Sequence, residues 1–139
     1  MLVNLAESDE QIIECFSTIS QLRPHLTKEN FVEQVRRQQK DNYQLAFIKV
    51  ENQVVAVAGF FISESLAHGK FLYVYDLIVD ENVRSKGYGK NIFEWLVDYA
   101  KSKDCNVLRL DSGVQRFDAH RFYFRQRMKI ASYHFSLSL

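Results

Sequence analysis

Arg84-Ser85-Lys86-Gly87-Tyr88-Gly89-Lys90 stands between a run that reads as a strand, Lys70 to Val79, and a run that reads as a helix, Asn91 to Lys101. The first N–H groups of a helix lack intrahelical partners, and the helix dipole favours negative charge there. Glycine lets backbone approach a ligand with no Cβ in the way. Two glycines and three basic residues at this handover describe a phosphate or pyrophosphate cradle. Two familiar cradles do not fit. A P-loop requires glycine five residues before the Gly-Lys pair and Ser or Thr after it, and this chain has Arg84 and Asn91 there. A dinucleotide fingerprint requires a third glycine where Ile92 stands. What remains is Arg-x-x-Gly-x-Gly after a strand.

The chain has 139 residues, so a single domain, 1–139, is expected. The formal net charge is +1, which gives no global field for nucleic acid or a membrane surface. Two cysteines, Cys15 and Cys105, have neither Cys-x-x-Cys nor metal-ligand spacing. They read as reduced structural thiols, and no metal site is expected. The first residues carry no basic n-region and no long apolar core, so they do not read as a signal peptide. No apolar run approaches a bilayer span. The expected location is the cytoplasm.

Leu2 to Leu5 reads as a short strand. Ser8-Asp9-Glu10-Gln11 is a capping-box pattern, and Ile12, Ile13, Phe16 and Ile19 follow at helical spacing. Pro24 ends that helix, and Thr27 is a candidate N-cap for the next. Arg36-Arg37 reads as the solvated end of that second helix. The period then changes to strands: Tyr43 to Val50, Val54 to Ile62 across a polar turn, and Phe71 to Val79. After the glycine loop, Ile92, Phe93, Leu96, Val97 and Ala100 mark one face of a helix. Val107 to Asp111 reads as a strand joined by a right-handed parallel crossover. Asp118 to Arg127 reads as a helix. Tyr133, Phe135, Leu137 and Leu139 alternate with polar residues, the pattern of a half-buried strand.

This order, with Arg-x-x-Gly-x-Gly between strand and helix, resembles the GNAT superfamily of N-acetyltransferases over essentially the whole chain. Ala119-His120-Arg121-Phe122-Tyr123 is similar to the Ala-x-x-Phe-Tyr pattern on that family's late helix. The chain departs where Gly-Phe usually follows: Arg127-Met128 stands there. The resemblance implies an α/β fold with a mixed, mostly antiparallel sheet of six to seven strands, about four flanking helices and one parallel crossover. It implies acetyl-CoA as co-substrate and an amine as acceptor. Arg84, Ser85, Lys86, Gly87, Tyr88, Gly89 and Lys90 would hold the pyrophosphate, chiefly by main-chain amides. The main chain of Leu77, Ile78 and Val79 would pair with pantetheine. Tyr123 would be the general acid.

The chemistry suits those roles. An amine attacks the thioester carbonyl and expels a thiolate. A thiol has a pKa of about 8.5 and a phenol about 10, so a nearby tyrosine can donate as charge builds on sulfur. Preorganised amides at the end of the Phe71–Val79 strand would stabilise the oxyanion. An attacking amine must first lose a proton. Asp76, an acid on a strand that reads as buried, is one candidate base. Asp111 and a water chain are the others. Asp76 also reads as a hydrogen-bonded structural carboxylate. A non-catalytic acyl-CoA sensor of the same fold is the alternative function. The first two helices and the Ser65–Lys70 connection are expected to shape the acceptor site. The C-terminal strand is a possible edge for pairing in a homodimer.

Overall fold

A computed structural model of the chain describes residues 2–139. They form two compact units, divided after Arg109. The first begins with β1 (Val3–Leu5), α1 (Asp9–Glu14), α2 (Phe16–Leu22) and α3 (Lys28–Gln39). It continues with β2 (Gln44–Val50), β3 (Gln53–Ser65), β4 (Gly69–Val79), a short 3-10 helix (Glu81–Val83) and α4 (Tyr88–Ser102). The strand β5 (Val107–Leu110) follows, and the sheet order is β1-β2-β3-β4-β5. The β1–β2, β2–β3 and β3–β4 pairs are antiparallel. Among the described residues, the one parallel pair is β4 with its neighbour β5. The mixed α/β architecture is as expected, with five strands in place of six to seven.

Local chemistry explains the elements. The capping box at α1 is formed: the Gln11 N–H donates to Ser8 Oγ at 3.1 Å, and the Ser8 N–H donates to Gln11 Oε1 at 3.1 Å. The single expected first helix is instead two, α1 and α2, meeting at Cys15. The Cys15 N–H turns to Ile12 C=O, a tightened i→i−3 bond that breaks the α-helical ladder while φ and ψ stay helical. Thr27 caps α3 by position, with no side-chain hydrogen bond. Arg36 is not merely solvated: Nη2 donates to Asp9 Oδ1 at 2.7 Å and to Glu7 C=O at 2.9 Å, tying α3 to the start of α1. The β2–β3 turn has Glu51 and Asn52 at φ 50° and 65°, the left-handed pair that a two-residue hairpin requires.

The sheet is covered on two faces. Ile12, Ile19, Phe31 and Val35 of α1–α3 pack on Leu45, Phe47, Val57 and Ile78. The buried Thr18 hydroxyl donates to Val54 C=O at 3.0 Å, fixing α2 to β3. On the other face α4 buries Ile92, Phe93, Leu96 and Ala100. Phe60 meets Trp95 and Tyr99 edge-on, with centroids at 5.9 and 5.5 Å. Side chains as fully buried as Ile92 and Leu96 contribute about 1.5–3 kcal/mol each. The β3–β4 register slips between Gly59 and Phe60: Gly59 faces Asp76, while Phe60 faces Val74. Tyr75 is therefore the extra residue of a β-bulge.

In the second unit, α5 (Phe117–Arg125) ends in a left-handed cap. Arg127 has φ 66°, its N–H donates to Phe124 C=O at 2.9 Å, and the Met128 N–H donates to Tyr123 C=O at 3.1 Å. This is the two-bond Schellman arrangement, which usually places glycine where Arg127 stands. The run from Tyr133 to Leu139 is not a strand. Its alternation defines two faces but no ladder partner, and among the described residues none pairs with it. Tyr133, Phe135 and Leu137 are 84%, 90% and 85% exposed.

Candidate functional site

The expected helix of the glycine loop starts three residues early. Gly87 is its N-cap at φ 84°, so Tyr88, Gly89 and Lys90 form the first turn of α4. The Asn91 N–H closes that turn onto Gly87 C=O at 3.0 Å. The amides of Gly89 and Lys90 precede this bond and lie outside the intrahelical ladder. A Cβ on Gly87 would meet nothing within 4 Å, so the space beside the cap is open. Its left-handed backbone, not crowding, is what favours glycine. Ser85 is also left-handed, at φ 70°. Arg84 Nε reaches back to Val79 C=O at 3.5 Å. Lys86 is exposed, and Lys90 lies 3.8 Å from Glu94. The Tyr88 side chain is buried, so only its main chain can serve a ligand. An open left-handed turn with free amides and exposed cations fits a pyrophosphate.

Leu77, Ile78 and Val79 pair with Ala58, Val57 and Ala56 of β3. The strand β5 meets β4 far back from them, where the Asn106 N–H donates to Lys70 C=O at 2.7 Å. Arg109 then stacks over the Phe71 and Tyr73 rings, at 5.2 and 5.6 Å from their centroids.

Asp76 has partners that local sequence does not announce. Its Oδ2 accepts from the Tyr43 hydroxyl at 2.7 Å, and its Oδ1 accepts from Arg23 Nε at 3.0 Å. Arg23 Nη2 also donates to Tyr75 C=O at 2.8 Å. The side chain of Asp76 is only 14% exposed. Burial pushes the Tyr43 phenol well above its usual value, and the Asp76 charge adds to the rise. Tyr43 therefore acts as a neutral donor. Gly59, opposite Asp76, makes room for the pair. A Cβ there would lie 1.9 Å from Tyr43 Oη and 2.6 Å from Asp76 Oδ2.

This cluster borders a cavity of about 720 Å³ between α2, α3 and the sheet. Helix α2 contributes Ile19 and α3 contributes Phe31 and Val35, with Leu26 between them. The strands contribute Leu45, Phe61 and Tyr75. The Ser65–Lys70 connection does not line it.

Tyr123 lies on α5 in the second unit, half-buried, with Phe122 against its ring at 5.7 Å. Burial raises its phenol above the usual value, and Arg116 pulls the other way. Asp111, the second candidate base, meets His134 Nδ1 at 3.1 Å. His120 Nε2 lies 2.8 Å from Gly113 C=O, a turn contact within the same unit. Among the described residues no group of three or more His, Cys, Asp or Glu could hold a metal ion, and no helix is long and apolar enough to cross a membrane.

The chain is 33% identical over 117 residues to the uncharacterized N-acetyltransferase YhdJ of Bacillus subtilis, covering 84% of this chain and 82% of the relative. It is 24% identical over 115 residues to glucosamine 6-phosphate N-acetyltransferase 1 of Dictyostelium discoideum, covering 78% and 72%. Its fold superposes on the crystal structure of glucosamine-6-phosphate N-acetyltransferase from Arabidopsis thaliana with a TM-score of 0.78 at 25% identity, covering 99% and 97%. Members of this family use acetyl-CoA as co-substrate and acetylate an amine. The family model for the Acetyltransferase (GNAT) family matches residues 7–128, and the chain belongs to that family.

Proposed function

We propose that the chain transfers acetyl from acetyl-CoA to a primary amine by direct attack within a ternary complex. The left-handed Gly87 cap of α4, open to solvent and followed by free amides, carries this reading. Arg84, Ser85, Lys86, Gly87, Tyr88, Gly89 and Lys90 hold the pyrophosphate, with Tyr88 contributing main chain alone. The main chain of Leu77, Ile78 and Val79, on the edge away from β3, takes pantetheine and supplies an oxyanion donor. Tyr123 donates a proton to the leaving thiolate. A phenol is protonated at neutral pH, and burial disfavours its ionisation further. Asp76 already accepts two hydrogen bonds, which weakens it as a base. The amine proton therefore leaves through water, and Asp76 is a positioning group.

Calorimetry with CoA on the protein and on Gly87→Trp tests the cradle, because the indole would fill the open turn. Unchanged tight binding by the variant overturns it. Thiol release with Tyr123→Phe tests the acid: a variant fully active across pH removes Tyr123 from the mechanism. Tight CoA binding with no thiol release over a broad amine panel would replace catalysis by acyl-CoA sensing. The exposed apolar side chains from Tyr133 to Leu139 support pairing with a second copy. A monomer mass by light scattering at high concentration overturns that pairing.

A further inference from the structure

We propose that the cavity between α2, α3 and the sheet receives the acceptor, and that the acceptor is a primary amine with an apolar alkyl or aryl body, docked as its ammonium by Asp76. This rests on the acetyltransferase reading and names its substrate class. The cavity holds about 720 Å³, enough for a small ligand and its tail. Its apolar wall comes from Ile19, Leu26, Phe31, Val35 and Leu45. His25, Gln34 and Gln38 line the cavity as well, but sugar hydroxyls held against the apolar side chains themselves would lose water without gaining partners there. A hydrocarbon chain or ring gains by the same transfer.

The polar end selects for a cation. The lining carries the carboxylates of Asp41 and Asp76 against the guanidinium of Arg23, with the His25 imidazole as a further polar group. That guanidinium is engaged, with Nε on Asp76 and Nη2 on Tyr75 C=O. A phosphate would have to take Arg23 from Asp76 to gain a two-pronged grip. Asp76 accepts two hydrogen bonds, and an ionised carboxylate has about four lone-pair sites, so capacity remains for an ammonium. The Tyr43 and Tyr75 rings, 6.3 Å apart, stand beside the carboxylate, and aromatic faces attract cations. Both glucosamine 6-phosphate enzymes above are named for an amine that is a phosphorylated sugar. The polar end and apolar wall here suit the opposite kind of amine.

The unmodified protein is assayed by thiol release with hexylamine and 2-phenylethylamine against glucosamine 6-phosphate and phosphoethanolamine. The expected result is kcat/KM at least about tenfold higher for the apolar amines. The tertiary amine N,N-dimethyl-2-phenylethylamine should compete with the amine and not with acetyl-CoA. Asp76→Asn should raise the amine KM about tenfold with kcat little changed and CoA affinity intact. Leu26→Asp, at a half-buried part of the wall, should weaken the apolar amines and leave CoA binding unchanged. Preference for a phosphorylated amine, no competition by the tertiary amine, or an Asp76→Asn effect on kcat alone would overturn the assignment. CoA binding with turnover of phosphorylated amines only would sink it while leaving the acetyltransferase reading standing. Absence of CoA binding would sink both.

Discussion

Replacing Gly59 with alanine should unseat Asp76 from its strongest neutral donor. The added methyl would lie 1.9 Å from Tyr43 Oη and 2.6 Å from Tyr43 Cζ. Ordinary contact needs about 3.4 Å, and interiors this dense yield little. The Tyr43 ring is 6% exposed in the core, so it cannot retreat without moving its neighbours. Relieving the overlap by about 1.5 Å would stretch the 2.7 Å bond to Asp76 beyond hydrogen-bond range. Overpacking costs about 1–3 kcal/mol. A lost hydrogen bond to a carboxylate costs about 1.5–3 kcal/mol more. The expected loss is therefore about 2.5–6 kcal/mol, a large share of a domain's stability. Trp95, the only tryptophan, stacks on Tyr99 at 4.9 Å and reports urea unfolding by fluorescence. In a Tyr43→Phe background the hydrogen bond is already gone, so Gly59→Ala should cost about 1.5–3 kcal/mol less than in the parent. A loss below about 1 kcal/mol, or full additivity of the two changes, would refute the reasoning.

Burial pushes the Cys15 thiol up from 9.0 to about 12, with Glu14 adding to the rise. A group whose folded pKa is raised contributes fully below its unfolded pKa and loses that contribution as pH climbs to the folded one. Stability should therefore hold to about pH 9 and then fall by up to about 1.4 kcal/mol per pH unit from this group. Urea titrations from pH 8 to 11 should show that slope reduced in Cys15→Ala. Tyr43 moves in the same direction from 10, so Tyr43→Phe should flatten the alkaline end further. Arg127→Gly should relieve the left-handed cap of α5, worth about 1 kcal/mol before glycine's extra unfolded-state entropy is subtracted. Higher amide protection at Met128 by hydrogen exchange checks this, and unchanged protection counts against it. Arg23→Met should lower stability by about 0.5–2 kcal/mol, because its partner is buried while Arg23 itself is 41% exposed. A change within error in the urea midpoint would reject that.

The sequence announced what depends on local period and punctuation. The strand, glycine loop and amphipathic helix were readable because Lys70–Val79 is rich in β-formers and Ile92, Leu96 and Ala100 repeat at helical spacing. The start of α4 lies earlier than the sequence reading puts it, because two glycines suggest loop. Tyr88, Ile92 and Leu96 continue one stripe at i, i+4, i+8, and that stripe marks the true first turn. Arg127, standing where glycine is usual, adopts the left-handed backbone that glycine would adopt there. The cluster around Asp76 was not readable. Tyr43 and Arg23 lie 33 and 53 residues from it, and only sheet pairing and helix docking bring them together. The one local sign was Gly59, a glycine inside an apolar strand, which often marks a close approach. The alternation from Tyr133 to Leu139 does not make a strand, because alternation tells which side chains share a face and not whether a neighbouring strand exists.

Tyr75 is one residue too many for the ladder, and that surplus divides β4 between two layers. Val74 faces Phe60, whose ring meets α4. Ile78 faces Val57 in the core beneath α1–α3. An unbroken strand would send residues 74, 76 and 78 to one side. The insertion reverses the parity halfway, so the strand props up one helical layer with its first half and the opposite layer with its second. Asp76 is the first residue after the reversal. Deleting a single residue here would not shorten the strand so much as turn its second half over, moving a carboxylate against Trp95 and an isoleucine out of the core. Parity, more than composition, is what puts an acid at the wall of the cavity.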